Sequence, residues 1–174
     1  MKKQGFTLIE LMVVIVIMGI LAAVAVPKLF GMIAKSKASE VGPAAGTYVK
    51  LQDAFAAETG AIGNWAKIGY IGPGTKSGTT KSYTTVFDYE DLFDAEAADD
   101  GTTMIGAVTG ETNGWNAKNK TALNDCPIQS EWKITVKGGS ASNGSTVEYN
   151  ATNPVVTGTA DCASLSPNFV NIGK

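Results

Sequence analysis

The hydrophobic pattern divides the chain into an apolar block, a striped segment and a polar remainder. Between Phe6 and Pro27, 18 of 22 residues are apolar, the exceptions being Thr7, Glu10, Gly19 and Pro27. As a helix this block would measure about 33 Å at 1.5 Å per residue, against a hydrocarbon layer of roughly 30 Å, so it is long enough to cross a bilayer. Past Pro27 the apolar positions thin to a stripe. Ala34, Ala38, Val41, Ala45, Tyr48, Leu51 and Phe55 recur at steps of three or four, with Lys35, Lys37, Glu40, Lys50 and Asp53 off the stripe. This predicts one amphipathic helix continuing the block, bent at Gly42-Pro43 and stopped at Thr59-Gly60. A helix from Phe6 to Glu58 would be about 80 Å long, more than a globule of this size can cover. Half of it must pack against lipid or against other copies of itself.

From residue 60 onward the pattern changes period, and 15 of the 20 glycines lie there among many Thr, Ser and Asn. Glu131 to Lys137 alternates, with Trp132, Ile134 and Val136 on one face and Glu131, Lys133, Thr135 and Lys137 on the other, as a half-buried strand does. A Gly/Ser/Asn-rich loop ending at Asn143-Gly144 leads into a strand at Thr146 to Tyr149, and Asn153-Pro154 turns into another at Val155 to Thr157. Tyr83 to Phe87 and Thr103 to Val108 each fit a strand or a loop. The predicted class is α+β: a long N-terminal helix whose amphipathic half packs on an antiparallel sheet.

The flanks of the block orient it. Lys2 and Lys3 precede it, so the positive-inside bias keeps the N-terminus cytoplasmic and sends the rest of the chain outward. A secretory signal peptide begins in a similar way. Here, however, the block carries a carboxylate at its fifth residue and continues past the small residues Ala23 to Ala25 into the helical stripe. That carboxylate, Glu10, costs about 2.5 to 3.5 kcal/mol if central in a membrane and less near an interface. Its negative charge either reaches the headgroups or meets a positive charge on another copy of the chain.

Lys2, Lys3 and the run Gly5-Phe6-Thr7-Leu8-Ile9-Glu10 ahead of an unbroken apolar stretch resemble the prepilin signature of type IV pilins and their pseudopilin relatives. The resemblance covers residues 1 to about 32. It implies that a prepilin peptidase cuts after Gly5, that the new N-terminal Phe6 is N-methylated, and that Glu10, beside Thr7, neutralises the terminal amine of a neighbouring subunit during assembly. Phe6 and Glu10 are one helical turn apart, about 6 Å of rise, so staggered helices can pair amine with carboxylate. Gly19 and Pro27 fall where bacterial major pilins often carry helix breakers that melt on assembly, and Pro27 predicts a kink or local opening on physical grounds as well.

The division expected is a leader at 1–5, a membrane and filament-core half-helix at 6–30, an amphipathic half-helix at 31–59 and a β head at 60–174. The family further implies a helical homo-oligomer, an assembly platform and partner ATPases, since this chain has no phosphate-binding loop. It implies residence in the inner membrane as a single N-in pass, followed by an extracellular filament serving adhesion, motility or DNA uptake. A pseudopilin of a type II secretion or competence system shares the same leader. A membrane-anchored enzyme or receptor is the reading from another class.

Composition then narrows the chemistry. The chain has no His and no Arg, and its formal charge of -2 gives no field suited to nucleic acid. Histidine-based catalysis and a His-ligated metal are excluded, and the sequence calls for no cofactor and no metal. The mean hydropathy of +0.06 averages two unlike halves and describes neither. Cys126 and Cys162 are the two cysteines. Both fall in the part expected outside the cytoplasm, where a pair is most simply a disulfide, and too few thiols are present for a metal site. Pilins often carry such a bridge around a C-terminal region. The run from Asp88 to Gly101 holds seven carboxylates and no Lys; it is read as a solvated acidic helix or loop, or a face for another subunit's lysines, rather than a calcium site. Trp65, Trp115 and Trp132 are expected in the core or at subunit contacts. Asn119, Asn143 and Asn150 each start an N-glycosylation-type triplet.

Overall fold

The computed structural model describes residues 5–93, 101–139, 146–154 and 161–174. Helix α1 spans Leu8–Ala38 and α2 Val41–Thr59. Thr7 opens α1 by accepting from the Glu10 N–H, while the Glu10 side chain accepts from the Thr7 N–H, a reciprocal box that satisfies two otherwise unpaired donors. At the far end Gly60 adopts a left-handed φ of 68° and returns its N–H to Ala56 C=O at 2.8 Å. That conformation favours glycine, and Thr59-Gly60 is where the helix stops.

The two breaker pairs behave differently. The helix runs unbroken through Gly19 and Pro27, so the single chain has no local opening there. The one hydrogen bond that Pro27 cannot make is spanned by 19 helical residues before it and 11 after it. Near Gly42-Pro43 the interruption lies upstream, at Ser39-Glu40. Pro43 has no N–H to offer the Ser39 carbonyl. The chain closes α1 early instead, with Ser39 N–H on Lys35 C=O at 3.1 Å and Ser39 Oγ donating to Ser36 C=O at 2.7 Å. Pro43 then sits in the first turn of α2, where a missing N–H costs no bond.

Beyond α2 come β1 (Ala61–Gly63), the short helix α3 (Trp65–Ile68), β2 (Thr75–Ser77), β3 (Lys81–Tyr83), β4 (Phe87–Asp91), β5 (Thr102–Met104), β6 (Thr112–Asn119), β7 (Glu131–Gly138), β8 (Val147–Thr152) and α4 (Asp161–Leu165). Six strands form one antiparallel sheet in the order β2-β3-β4-β6-β7-β8, while β5 leaves the meander to pair with β1 as a separate ribbon. Thr84–Val86 is thus a turn between strands, and only Thr103-Met104 of the segment at 103–108 is strand, the chain continuing into a 3₁₀ turn at Ile105–Ala107. In β7, Trp132, Ile134 and Val136 are buried and their neighbours half-exposed, the alternation read from the sequence. The strand begun near Thr146 extends to Thr152. Asn143-Gly144 and Val155 to Thr157 lie outside the described residues.

The expectation of a solvated acidic helix or loop needs correcting at its start. Asp88 to Asp91 belongs to β4, in which Phe87 and Tyr89 are buried, so apolar alternation sets this segment and the carboxylates take the outer face or the strand end. Residues 94–100 lie outside the described residues.

The sheet's inner face packs on α2 and the last turns of α1. Trp65, Trp115 and Trp132 are fully buried in one core with Tyr48, Phe87, Tyr89 and Phe169. Two of the three indoles connect the layers: Trp115 Nε1 donates to Tyr70 Oη at 3.0 Å, and Tyr70 donates to the Ala44 carbonyl of α2 at 3.1 Å. Trp132 Nε1 donates to Ser166 Oγ at 2.7 Å. The Gln52 carboxamide, turned so that its oxygen accepts from Gly63 N–H at 2.9 Å and its nitrogen donates to Gly63 C=O at 3.0 Å, ties α2 to β1. Tyr149 of β8 donates to Asp53 of α2 at 2.7 Å. Leu51 and Phe55, on the predicted stripe, are only partly buried against this core.

Candidate assembly site

None of the residues from Leu8 to Ile33 is buried; the first that is, Ala34, marks where the head begins to cover α1. The apolar block therefore stands free of its own globule. A helix satisfies its backbone hydrogen bonds within itself and can enter a medium without water. What the bare block lacks is a surface to bury its side chains against.

At the tip, Gly5 and Phe6 precede α1, and Phe6 is 76% exposed. Glu10 Oε2 accepts from Thr7 N–H at 2.9 Å and from Thr7 Oγ1 at 2.7 Å. The Thr7-x-x-Glu10 spacing is the sequence signature of a capping box, a signal that a search for a charged partner alone passes over. A neutral glutamine oxygen could accept the same two bonds, more weakly than a carboxylate. The box therefore calls for an acceptor at position 10 without requiring a full negative charge.

Where α1 enters the head, chain flanks it on two sides. A groove of about 260 Å³ lies between Phe30, Ile33, Ala34 and Lys37 of the helix and Ala122, Leu123 and Asn124 of the β6–β7 loop. Another, of about 400 Å³, lies between Lys35, Ala38, Ser39 and Gly42 and the C-terminal residues Leu165–Phe169 and Ile172. The disulfide Cys126–Cys162 joins the segments bearing these two walls, and both sulfurs are buried. Asn119 shapes the first wall: its Nδ2 donates to the carbonyls of Thr121 at 2.9 Å and Pro127 at 2.7 Å, and its Oδ1 accepts from Ser130 N–H at 2.7 Å. Asn119 is fully buried, so its triplet offers no accessible amide, whereas Asn150 is exposed on β8.

Glu40 fastens the helix interruption to the sheet. Its Oε1 accepts from Thr84 Oγ1 at 2.8 Å and from Tyr89 Oη at 2.9 Å. Burial, reinforced by the Glu40 charge, pushes the Tyr89 hydroxyl far above its ordinary range. Asp91, at the end of β4, accepts from Trp65 N–H at 2.7 Å and Phe93 N–H at 3.0 Å, satisfying the first free N–H of α3 beside that helix's own cap, Asn64. Desolvation raises its carboxyl to about 6 despite those two bonds. Neither Glu40 nor Asp91 has a local sequence signature, because both act across contacts distant along the chain.

The outer face of the sheet is a charge ladder. Lys81 pairs with Glu90 at 2.5 Å, Lys118 with Glu131 at 2.8 Å, Lys120 with Asp88 at 3.5 Å and Lys137 with Glu148 at 3.9 Å, and Lys133 also reaches Glu131. Hydrogen bonds from Lys118 and Lys133 outweigh desolvation and hold the Glu131 carboxyl below its usual range. Among the described residues no cluster of three or more potential metal ligands gathers. The structure brings Cys126 to Cys162 and Thr7 to Glu10, while Gly19, Pro27, Gly42 and Pro43 are spread along the helices; Lys2 and Lys3 lie outside the described residues.

Residues 1–26 match the family described as the prokaryotic N-terminal methylation motif. The chain is 32% identical over 152 residues to the type IV major fimbrial protein FimA of Dichelobacter nodosus, covering 78% of this chain and 94% of that protein. It is 34% identical to fimbrial protein Q of Moraxella bovis, over 80% of this chain and 89% of that one. To the type IV major pilin PilA of Myxococcus xanthus it is 56% identical over 39 residues, covering 22% of this chain and 18% of that protein. The matching N-terminal motif, the long bare helix on an antiparallel sheet, and the similarity to FimA and fimbrial protein Q over most of each chain place this protein in the type IV pilin family.

Proposed function

We propose that this chain is the repeating structural subunit of a type IV pilus filament, and that its bare helix is the surface through which it polymerises. The observation that carries the reading is the exposed apolar run from Leu8 to Ile33 attached to a head whose core is already complete. Lipid covers that run while the subunit waits in the inner membrane, and the helices of other subunits cover it in the filament. The relatives that match over most of their length bear fimbrial names, which favours the pilus over a pseudopilin role.

Within this reading residues 1–5 are the leader, 6–30 the membrane and filament-core segment, 31–59 the amphipathic segment and 60–174 the head. A prepilin peptidase and methylase cuts after Gly5 and methylates Phe6. Release of the leader removes Lys2 and Lys3 and takes the formal charge from -2 to -4. The new amine of one subunit then meets Glu10 of its neighbour, and in a medium that penalises either charge alone this pairing sets the register of the helices. The subunit supplies no chemistry of its own. An assembly platform with its ATPases extracts it, and Gly19 and Pro27 mark where the helix yields during packing.

Mass spectrometry of filaments sheared from the cell surface tests the processing. The expected N-terminal peptide starts at Phe6 and carries one added methyl group. Recovery of the chain with its leader intact would overturn it.

A further inference from the structure

We propose that Asn150 is an N-glycosylation site, its side-chain amide taking a glycan from a lipid-diphosphate-linked oligosaccharide on the outer side of the membrane. The inference rests on the N-in orientation of α1, which delivers the head to that side. The chain has three Asn-x-Ser/Thr triplets, and none carries proline in the middle position, so the bare pattern does not separate them. The structure does. Asn119 is fully buried and its Nδ2 already serves two carbonyls, while Asn143 lies outside the described residues. Asn150 stands exposed on β8, the last strand at one edge of the sheet.

Strand alternation gives the site its geometry. Glu148, Asn150 and Thr152 share the exposed face, while Tyr149 and Ala151 turn inward and Tyr149 is held by its bond to Asp53 of α2. The acceptor amide and the threonine hydroxyl that completes the triplet are thus presented together, and among the described residues the Thr152 hydroxyl has no hydrogen-bond partner. Glu148 adds a carboxylate two positions before the acceptor, where the other triplets have Ala117 and Ala141. Asn150 Nδ2 reaches the two Glu111 oxygens only at 3.4 Å, so little holds the amide back. Beside it lies a hollow of about 110 Å³ lined by Glu111, Thr135, Lys137 and Tyr149, whose carboxylate, hydroxyl and ammonium groups suit the hydroxyls of a first sugar. In the transfer the amide nitrogen bonds to the sugar's anomeric carbon, the bond from that carbon to the lipid diphosphate oxygen breaks, and one amide proton leaves to balance the released diphosphate. The product nitrogen keeps one N–H for Glu111. An oligosaccharyltransferase needs the segment unpaired, as it is while the head emerges from the membrane, and the strand then closes with the glycan on its solvent side.

The test is mass spectrometry of the chain purified from its own cells. After reduction, trypsin releases the segment 138–174, which holds both Asn143 and Asn150, and electron-transfer fragmentation assigns any added mass to a residue. The expected result is saccharide mass on Asn150, lost in Asn150→Gln and in Thr152→Val, which removes the hydroxyl and keeps a β-branched side chain on the strand, and retained in Thr152→Ser. An unmodified Asn150 overturns the site, as does a glycan found only on Asn143 or on a serine or threonine. Glycan on Asn150 that survives Thr152→Val overturns the triplet as its signal. Proteinase K added to spheroplasts checks the orientation separately: a digested head with a bare Asn150 overturns the site alone, whereas a protected head overturns the N-in reading on which the site rests.

Discussion

The two halves of this molecule apply the same rule to different partners. In the head, apolar side chains are buried by the chain's own sheet and helices, down to three tryptophans at or below 1% exposure. Along α1, from Leu8 to Ile33, side chains just as apolar are left unburied by the chain, and only near Phe30 and Ile33 does the head begin to flank them. A helix can stay folded in that condition because its hydrogen bonds are internal, whereas a strand of the head needs its neighbours. Stability thus belongs to the head and assembly to the helix, and substitutions should sort by which half they touch.

Trp132→Ala is expected to have the largest effect on the head, about 3–5 kcal/mol, because it empties a core site and leaves Ser166 without its donor. Urea unfolding followed by tryptophan fluorescence measures it, and Ile17→Ala on the bare helix should leave the same midpoint unchanged. A shift from Ile17→Ala would break the comparison. Reducing Cys126–Cys162, which are 36 residues apart, should cost about 4 kcal/mol by releasing chain entropy in the unfolded state, read as a lower unfolding midpoint with dithiothreitol. Glu40→Ala leaves the buried Tyr89 hydroxyl without its acceptor and should cost about 1–3 kcal/mol; Glu40→Gln, which keeps an acceptor oxygen, should cost less.

A pH dependence completes the comparison. Asp91 has a folded pKa of about 6, above its ordinary 3.8, so the folded state favours the protonated form. Its contribution is fully present below pH 3.8 and is lost as pH rises through 6. Asp91→Asn should flatten the stability profile between pH 4 and 6, measured by unfolding midpoints across that range relative to the parent chain.

How much of this was legible depended on whether the signal is local. The apolar block, the stripe from Ala34 to Phe55, the stop at Gly60 and the alternation of Trp132, Ile134 and Val136 each follow from neighbours in sequence. Pro43 signalled a break, but the interruption settled at Ser39-Glu40, since a proline disrupts the bond to the carbonyl four residues earlier and not its own position. In the acidic run, charge density masks the Phe87-Tyr89 alternation that makes Phe87–Asp91 a strand. The excursion of β5 to β1, the Glu40 clamp and the Asn119 anchor depend on residues tens of positions apart and left no pattern to read. At the candidate site, Glu10 stood out by its charge, whereas its partnership with Thr7 required attention to the helix cap.

If the helices assemble as proposed, Glu10 is needed for its charge and not merely for its cap. Glu10→Gln separates the two, because glutamine keeps the bonds to Thr7 that shape the start of α1 and carries no charge for a neighbour's amine. Cells bearing this variant are expected to insert the subunit, with an unchanged head, and to shed no filaments when sheared and examined by electron microscopy. Filaments of normal abundance from Glu10→Gln would contradict it.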